Sequence, residues 1–286
     1  MKYAVIDIGS NSVRLMYSDG KNTIKKFVET TRLAEGMGQE KELKTVAINR
    51  TVAAVSFFVA KAKNDGFNHI YIFATAAVRR AVNSSVFVDA VKNECGIIVE
   101  VVSGEREAEL GYVGALDGKD GAIIDVGGAS TEISVVKNGV PIYAKSIDLG
   151  AVSVTDACGQ DKELVKSYVL EKIKEFDGVP NATFYAIGGT ATTMASMILQ
   201  LEPYDPKKTH GFLLKKAELS LFKDKLFSLT VAEREKLRGL QPSRAKVIAS
   251  GAMILLSIME KLGINEFIIS ENDNLEGFLK LKLEEK

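Results

Sequence analysis

Two segments of the sequence end an apolar run on an aspartate and continue with small or hydroxyl-bearing residues. The first is YAVIDIGSNSVRL, which contains Asp7, and the second is AIIDVGGASTEISVV, which contains Asp125. Small residues after a strand allow backbone N–H groups to approach an anion, and serine or threonine hydroxyls add further donors. Mg²⁺ is usually held by one or two carboxylates together with phosphate oxygens. One such segment alone is equally compatible with an ordinary hairpin, but the pair predicts two phosphate-binding turns with Asp7 and Asp125 as Mg²⁺ ligands.

The two segments also open two longer stretches that share one design. In each, a second apolar strand follows the turn, and an Asx-Gly turn (Asp19-Gly20 and Asn138-Gly139) then leads into a third strand. Matched order and matched aspartates favour a duplication over two unrelated hairpins. We therefore expect an α/β fold of two lobes, residues 1–117 and 118–286, with the two turns facing each other across a cleft.

The spacing of apolar residues predicts the elements that carry these turns. A helix is predicted over 44–63, and Asn83-Ser84-Ser85 is expected to cap a second helix that stops near Gly96. HIYIFATAAVRRA is predicted to be a buried strand ending in small residues, and EREAELGYVGAL a helix. In the second lobe, the strand TFYAIGG is expected to run into the helix TATTMASMILQ. The chain is expected to close with the helix VIASGAMILLSIMEKLG, the strand EFIIS and the helix NLEGFLKLKLEEK.

The composition excludes several classes of function. Lysine plus arginine equals aspartate plus glutamate at 37 each, so no overall field favours DNA or an anionic membrane. Two cysteines and two histidines leave little material for a disulfide framework, a zinc site or a Ser-His-Asp triad. The N-terminus lacks the pattern of a leader, and the most apolar run, 247–259, is too short to span a bilayer. We expect a soluble, cytoplasmic protein.

Six motifs in the chain resemble those of the exopolyphosphatase / guanosine pentaphosphate phosphohydrolase (Ppx/GppA) family, in the same order and over nearly the whole length. They are DIGSNSVRL, ATAAVRRAVNSSVF, VEVVSGEREAELGYVG, DVGGASTEISVV, SIDLGAVSVTD and AIGGTATTMA. The family belongs to the actin–Hsp70–sugar kinase superfamily. The resemblance implies two duplicated ribonuclease H-like (actin-like ATPase) lobes with an interdomain cleft. It also implies a Mg²⁺-assisted hydrolase that removes the terminal phosphate of polyphosphate or of the 5′ end of pppGpp.

The resemblance also implies a set of substrate-binding residues. The matching positions are Gly9, Ser10, Asn11, Ser12 and Arg14 in the first turn, Gly127, Gly128, Ala129, Ser130 and Thr131 in the second, and Gly188, Gly189 and Thr190 at the start of a later helix. The last three are expected either to contact a nucleotide or to line the phosphate channel. Arg79 matches an arginine that resembles a phosphate clamp, and a guanidinium suits bidentate contact with phosphate.

Two glutamates are the candidate catalytic residues. Hydrolysis of a phosphoanhydride needs charge neutralisation and a positioned water, and a carboxylate is the natural base in a chain so poor in histidine. Glu107 in SGEREAEL matches the general base proposed for the family, with Glu105 close enough to be confused with it. Glu132 is the second candidate, for positioning water or metal. Without the resemblance, glutamates at the start of a helix are solvated residues favoured by the helix dipole.

Departures from the family pattern keep other functions open. Ala129 adds a methyl group where the family usually has a third glycine, while Asn272 and Asp273 replace a glycine pair and Leu275 replaces an arginine. The chain has no room for the added all-helical region of longer relatives, so we expect short polyphosphates or pppGpp as substrates, or a homodimer that supplies the missing surface. A kinase or ATPase of the same superfamily and a non-catalytic sensor of polyphosphate or (p)ppGpp are the alternatives.

Overall fold

The computed structural model describes residues 1–38 and 40–285, and two mixed β-sheets organise them. The first sheet has the strand order β3-β2-β1-β4-β5. Its strands are β1 (Tyr3–Ile8), β2 (Ser12–Ser18), β3 (Thr23–Thr30), β4 (His69–Ala74) and β5 (Val99–Val101). The first three form the expected antiparallel meander, and β4 then pairs in parallel with β1. This pairing sets the end of β4 beside the end of β1, where Asp7 lies.

The second sheet repeats this arrangement with one strand pair in place of β5. Its order is β10-β11-β9-β6-β7-β8. Its strands are β6 (Gly121–Val126), β7 (Thr131–Lys137), β8 (Val140–Ile147), β9 (Phe184–Ile187), β10 (Leu213–Lys215) and β11 (Glu266–Ile269). β6, β7 and β8 form the second meander, and β9 is parallel to β6. Asp7 faces Arg14 across its hairpin and Asp125 faces Glu132 across the other, so the predicted duplication and fold class are confirmed.

Helices cover both sheets. Their bounds are α1 (Thr45–Asn64), α2 (Ala76–Arg80), α3 (Ser84–Cys95), α4 (Gly104–Leu116), α5 (Ala151–Cys158), α6 (Lys162–Lys172), α7 (Gly188–Ile198), α8 (Pro206–Thr209), α9 (Lys216–Ser228), α10 (Val231–Arg234), α11 (Ile248–Leu262) and α12 (Asn274–Glu284). The predicted cap of α3 is wrong in detail. Asn83 makes no side-chain cap there, because its amide exchanges two hydrogen bonds of 3.0 Å with the backbone of Leu43.

The last helix, α12, returns to the first sheet although it follows the second in sequence. Phe278 of α12 stacks on Phe73 of β4 with ring centroids 4.5 Å apart. Where α12 crosses α4, Gly114 and Gly277 allow close approach, since a Cβ on either glycine would overlap the backbone of the other helix. The lobe boundary at residues 117 and 118 stays a prediction.

One helix of the described chain, α1, is long and apolar enough to cross a membrane when judged by length and composition alone. Val55 and Phe58 on its inner face are buried in the core of the first sheet. A core helix passes the same test, so α1 is explained by its packing.

Candidate active site

The two predicted turns have the same backbone geometry and meet at one cavity. The N–H of Gly9 donates to the carbonyl of Ser12 at 3.0 Å, and the N–H of Gly127 donates to the carbonyl of Ser130 at 3.0 Å. In both lobes, backbone N–H groups of the segment that follows the third strand donate to carbonyl groups of the turn. The N–H of Ala34, for example, donates to the carbonyl of Ser10 at 2.9 Å, and the N–H of Val152 donates to the carbonyl of Gly128 at 2.7 Å. The carbonyls are thereby occupied, and backbone N–H groups are what the turns offer an anion.

The cavity between the turns has a volume of about 100 Å³ and takes residues from both lobes. The predicted site residues that line it are Asp7, Gly9, Ser10, Asn11, Ser12, Arg14, Glu107, Asp125, Gly127, Gly128, Ser130, Gly188, Gly189 and Thr190. The structure thus brings together most of the residues that the sequence predicted. Four predicted residues, Arg79, Ala129, Thr131 and Glu132, lie behind this lining rather than on it.

At Gly128 the second turn lies close against the first. A Cβ at this position would lie 2.8 Å from Cβ of Ser10 and 3.2 Å from N of Asn11. We expect Gly128→Ala to force the turns apart, lower the free energy of unfolding by about 1–3 kcal/mol as overpacking does, and weaken phosphate binding. Denaturant unfolding and titration with tripolyphosphate measure both effects. Gly104→Ala is the control, because its new methyl group would make only ordinary contacts of 3.5 Å or more; equal effects of the two changes would contradict the prediction.

The two aspartates present a donor set that suits a divalent cation. Oδ2 of Asp7 accepts from Nε of Arg14 at 3.0 Å, whereas its Oδ1 is buried and has no hydrogen-bond partner in the described chain. Burial raises the pKa of Asp7 despite the nearby guanidinium. Burial, with Glu107, Asp273 and Asp7 nearby, raises the pKa of Asp125 to about 7. An orphaned oxygen and two destabilised carboxylates on one cavity fit Mg²⁺ that completes its shell with phosphate oxygens. Residues 1–38 and 40–285 contain no cluster of three or more His, Cys, Asp or Glu side chains that could hold a metal.

Glu107 is held at the cavity by the first turn of α4. Ser103 caps this helix, its hydroxyl accepting from the N–H of Arg106 at 3.1 Å. The Glu107 side chain is buried, and its Oε2 accepts from a terminal nitrogen of Arg79 at 2.7 Å. Burial raises the pKa of Glu107 while Arg79 opposes the shift. Glu105 is exposed, so the structure separates the two glutamates that the sequence left easy to confuse.

Arg79 and Glu132 support this arrangement from behind. The Arg79 guanidinium donates to the carbonyl of Val102 at 3.0 Å as well as to Glu107, so it fixes the glutamate's position. Glu132 accepts from the Ser146 hydroxyl at 2.6 Å and lines a second cavity of about 10 Å³ together with Glu107 and Asp125. That volume is at the lower limit of what can hold one water molecule. Burial and the neighbouring carboxylates raise the pKa of Glu132 well above its usual value, which favours the protonated form.

Ala129 and Thr131 stabilise the second turn through hydrogen bonds. The Thr131 hydroxyl is buried and donates to the carbonyl of Leu149. Ala129 is buried, its carbonyl accepts from Arg80 at 2.8 Å, and it does not adopt a positive φ. Its methyl group is therefore compatible with the turn. Gly188 and Gly189 lie in the first turn of α7, at the start of a helix as predicted, and Thr190 donates to the carbonyl of Val126 at 2.8 Å.

The sequence did not indicate two polar residues of the cavity, Arg244 and Asn274. Arg244 makes no ion pair with any described residue, and burial, with Arg14 nearby, lowers its pKa to about 10. Its guanidinium lies against Gly189, where a side chain of any size would overlap it. Oδ1 of Asn274 is likewise buried, without a hydrogen-bond partner among the described residues. The only signal for Arg244 was its place in a Lys-rich stretch, which a solvated helix explains equally well.

Comparisons with known proteins identify the family and agree with this fold. The Ppx/GppA phosphatase family matches residues 10–285. A bifunctional 3-dehydroquinate synthase/phosphatase of Fusobacterium nucleatum is 32% identical over 99% of the chain and 47% of its own length. Exopolyphosphatase 2 of Mycobacterium tuberculosis is 28% identical over 96% of the chain and 97% of its own. A guanosine-5′-triphosphate,3′-diphosphate pyrophosphatase of Vibrio vulnificus is 27% identical over 96% of the chain and 58% of its own. The chain thus spans about half the length of the first and third of these relatives.

Solved structures agree with the sequence relatives. The crystal structure of the Ppx/GppA family member of Aquifex aeolicus is 30% identical, with a TM-score of 0.81, over 100% of this chain and 98% of that one. An exopolyphosphatase-like protein is 25% identical, with a TM-score of 0.91, over 99% and 100% of the two chains. These matches confirm the predicted fold and the predicted family. The chain belongs to the Ppx/GppA phosphatase family.

Proposed function

We propose that this chain hydrolyses the terminal phosphoanhydride bond of inorganic polyphosphate with the help of Mg²⁺. The observation that carries the proposal is the meeting of both turns, both aspartates and the buried Glu107 at one cavity. The Mycobacterium relative of nearly the same length is named an exopolyphosphatase, which favours polyphosphate as the substrate.

The residues divide the chemistry among themselves. Backbone N–H groups and hydroxyls of the turns bind the terminal phosphates and hold them in line with an attacking water. The oxygen of that water bonds to the terminal phosphorus, and Glu107 accepts the proton that the water loses. The bridging P–O bond breaks, and the shortened chain leaves with the bond's electrons. Mg²⁺ held by Asp7 and Asp125 would neutralise negative charge on the phosphates. Arg79 keeps Glu107 oriented toward the water.

Arg244 supplies a positive charge that no described carboxylate neutralises. We expect Arg244→Gln to weaken tripolyphosphate binding by about tenfold or more, because a hydrogen bond from a charged donor is lost. Removal of a desolvated cation should at the same time leave folding stability equal or higher. Calorimetric titration and thermal unfolding measure the two quantities. Arg238→Gln is the control, since Arg238 is an exposed arginine of the same region; a matching loss of affinity in the control would contradict the role given to Arg244.

Hydrolysis of the 5′ phosphate of pppGpp is the second candidate. The Vibrio relative, whose name specifies a guanosine-5′-triphosphate,3′-diphosphate substrate, covers 96% of this chain. The same turns and the same glutamate serve either substrate, because both reactions break a terminal phosphoanhydride bond.

The test is phosphate release in the presence of Mg²⁺ from long polyphosphate, tripolyphosphate, ATP and pppGpp. Preferred release from polyphosphate supports the first candidate, and preferred release from pppGpp supports the second. Release from ATP alone would replace both by an ATPase. Binding of polyphosphate or pppGpp without release from any substrate would make the protein a sensor.

A further inference from the structure

Asp273, which together with Asn272 replaces a glycine pair of the family pattern, contacts Arg14 of the first phosphate-binding turn. The carboxylate of Asp273 is 7% exposed and pairs through Oδ2 with a terminal nitrogen of Arg14. The opposite edge of the same guanidinium, Nε and the other terminal nitrogen, contacts Oδ2 of Asp7. Arg14 lines the cavity, but two carboxylates share its single positive charge.

Asp273 is fixed in this position from its other side. Its Oδ1 caps α12 by accepting from the N–H of Leu275 at 3.0 Å, and its own N–H donates to Glu276 at 2.9 Å. Lys26 lies 3.8 Å from Oδ1 and 2.9 Å from the Glu276 carboxylate. Although burial opposes ionisation, Arg14 and Lys26 lower the pKa of Asp273 below its usual value. The carboxylate is therefore ionised and rigidly placed at neutral pH.

The two arginines of the cavity consequently differ in what they offer a phosphate. Arg14 is compensated by Asp7 and Asp273, whereas Arg244 has no carboxylate partner in the described chain. A guanidinium whose donors already serve two carboxylates has less charge and fewer free N–H groups for a third anion.

We infer that Asp273 is a positioning residue that limits the affinity of this cleft for phosphate chains by holding Arg14 between itself and Asp7. The inference rests on the proposed function, since it assigns the specificity of the same site. Asp273 does not line the cavity and acts through Arg14. In this chain, Arg14 keeps Asp7 oriented, and the bound phosphates depend for their neutralisation on Arg244 and on the cation held by the aspartates.

Asp273→Asn tests the inference without removing the helix cap, because asparagine caps as well as aspartate. We expect the variant to bind tripolyphosphate about tenfold more tightly than the wild type, as the freed guanidinium gains a charge-assisted contact. The measurement is calorimetric titration, first in EDTA and then with Mg²⁺. The gain should be larger in EDTA, where no divalent cation offsets the substrate charge.

Two variants separate this effect from alternatives. Glu276 lies in the same helix turn, but its carboxylate pairs with Lys26 rather than with Arg14. Glu276→Gln removes this carboxylate, and glutamine preserves the capping box. The affinity of this variant for tripolyphosphate should stay within about twofold of the wild type, since Arg14 keeps its pairs with Asp7 and Asp273. Asp161→Asn changes an exposed N-cap on α6, remote from the cleft, and should have no effect. Equal gains in Asp273→Asn and Glu276→Gln, or no gain in Asp273→Asn, would overturn the inference.

Failure of the role inferred for Asp273 can be distinguished from failure of the proposed function. Absence of phosphate release by the wild type would remove the proposed reaction, whatever the affinities are. A wild type that releases phosphate, with unchanged tripolyphosphate affinity in Asp273→Asn, would remove only the role of Asp273.

Discussion

Replacing Glu107 by glutamine is expected to lower kcat for phosphate release by about 10²–10⁴-fold, the usual contribution of a general base. The amide keeps the shape of the side chain and can still accept the hydrogen bond that Arg79 donates at 2.7 Å. It cannot accept the proton of the attacking water. Because the proposed phosphate ligands are the turns and Arg244 rather than Glu107, the dissociation constant for tripolyphosphate should change little. Steady-state phosphate release and calorimetric binding, measured on the same preparation, separate the two effects.

Glu105→Gln is the matched control for this change. Glu105 lies two residues earlier on α4 and is exposed, so its variant should keep wild-type kcat. Loss of activity in Glu105→Gln with retention in Glu107→Gln would reverse the assignment of the base. Full activity in both variants would leave Glu132, on the adjacent small cavity, as the remaining carboxylate for that role.

The duplication accounts for the two equivalent turns at a single cavity, whereas Glu107, the first candidate base, lies on a helix outside the repeated meanders. Each meander ends its first strand on an aspartate and binds the carbonyls of its turn to the segment that follows its third strand. The helix α4, which carries Glu107, follows β5 of the first sheet and packs against both α12 and the second sheet. The proposed base therefore comes from a helix that follows the first sheet, whereas the turns come as an equivalent pair from the two sheets.

The sequence was sufficient for the local parts of this fold. β1, β2 and β3 are recognisable because short apolar runs and an Asx-Gly turn follow one another over a few neighbouring positions. The pairing of Asp7 with Asp125 followed from the repeat, since equivalent positions of duplicated lobes face each other. Glu107 was identified through the motif around it.

The remaining features depend on contacts between distant parts of the chain. Arg244 approaches Gly189 across 55 positions, and Asp273 reaches Arg14 across 259. No local pattern predicts such a contact, and Arg244, which lies in a Lys-rich stretch, resembles a solvated residue in the sequence. The helices α5 and α6 were also not predicted. The compensation of Arg14 by Asp273 required the observed crossing of α12 over the first sheet.

Asp125 is expected to reduce folding stability at neutral pH in exchange for its function. Its pKa in the folded protein is about 7, chiefly because burial disfavours the charge, against an ordinary value of 3.8. The folded state therefore retains a proton that the unfolded state has lost, so this contribution to stability is present below pH 3.8 and is lost as the pH rises through 7. Three pH units correspond to about 4 kcal/mol as an upper bound. Asp125→Asn cannot ionise and should avoid this loss.

We therefore expect Asp125→Asn to be inactive yet more stable than the wild type at pH 8, and equally stable at pH 3, where Asp125 of the wild type is largely protonated in both the folded and the unfolded state. Urea unfolding at the two pH values measures the difference, which should reach up to about 4 kcal/mol at pH 8. Asp19→Asn is the control, and it should lower rather than raise stability at pH 8, because backbone N–H groups of Asn22 and Lys21 lower the pKa of Asp19.

Mg²⁺ should raise the Tm of the wild type at pH 8 much more than that of Asp125→Asn, because the cation binds the ionised carboxylate. Equal stabilisation of both proteins by Mg²⁺ would show that Asp125 does not hold the metal, and a variant less stable than the wild type at pH 8 would show that its carboxylate is not strained by burial.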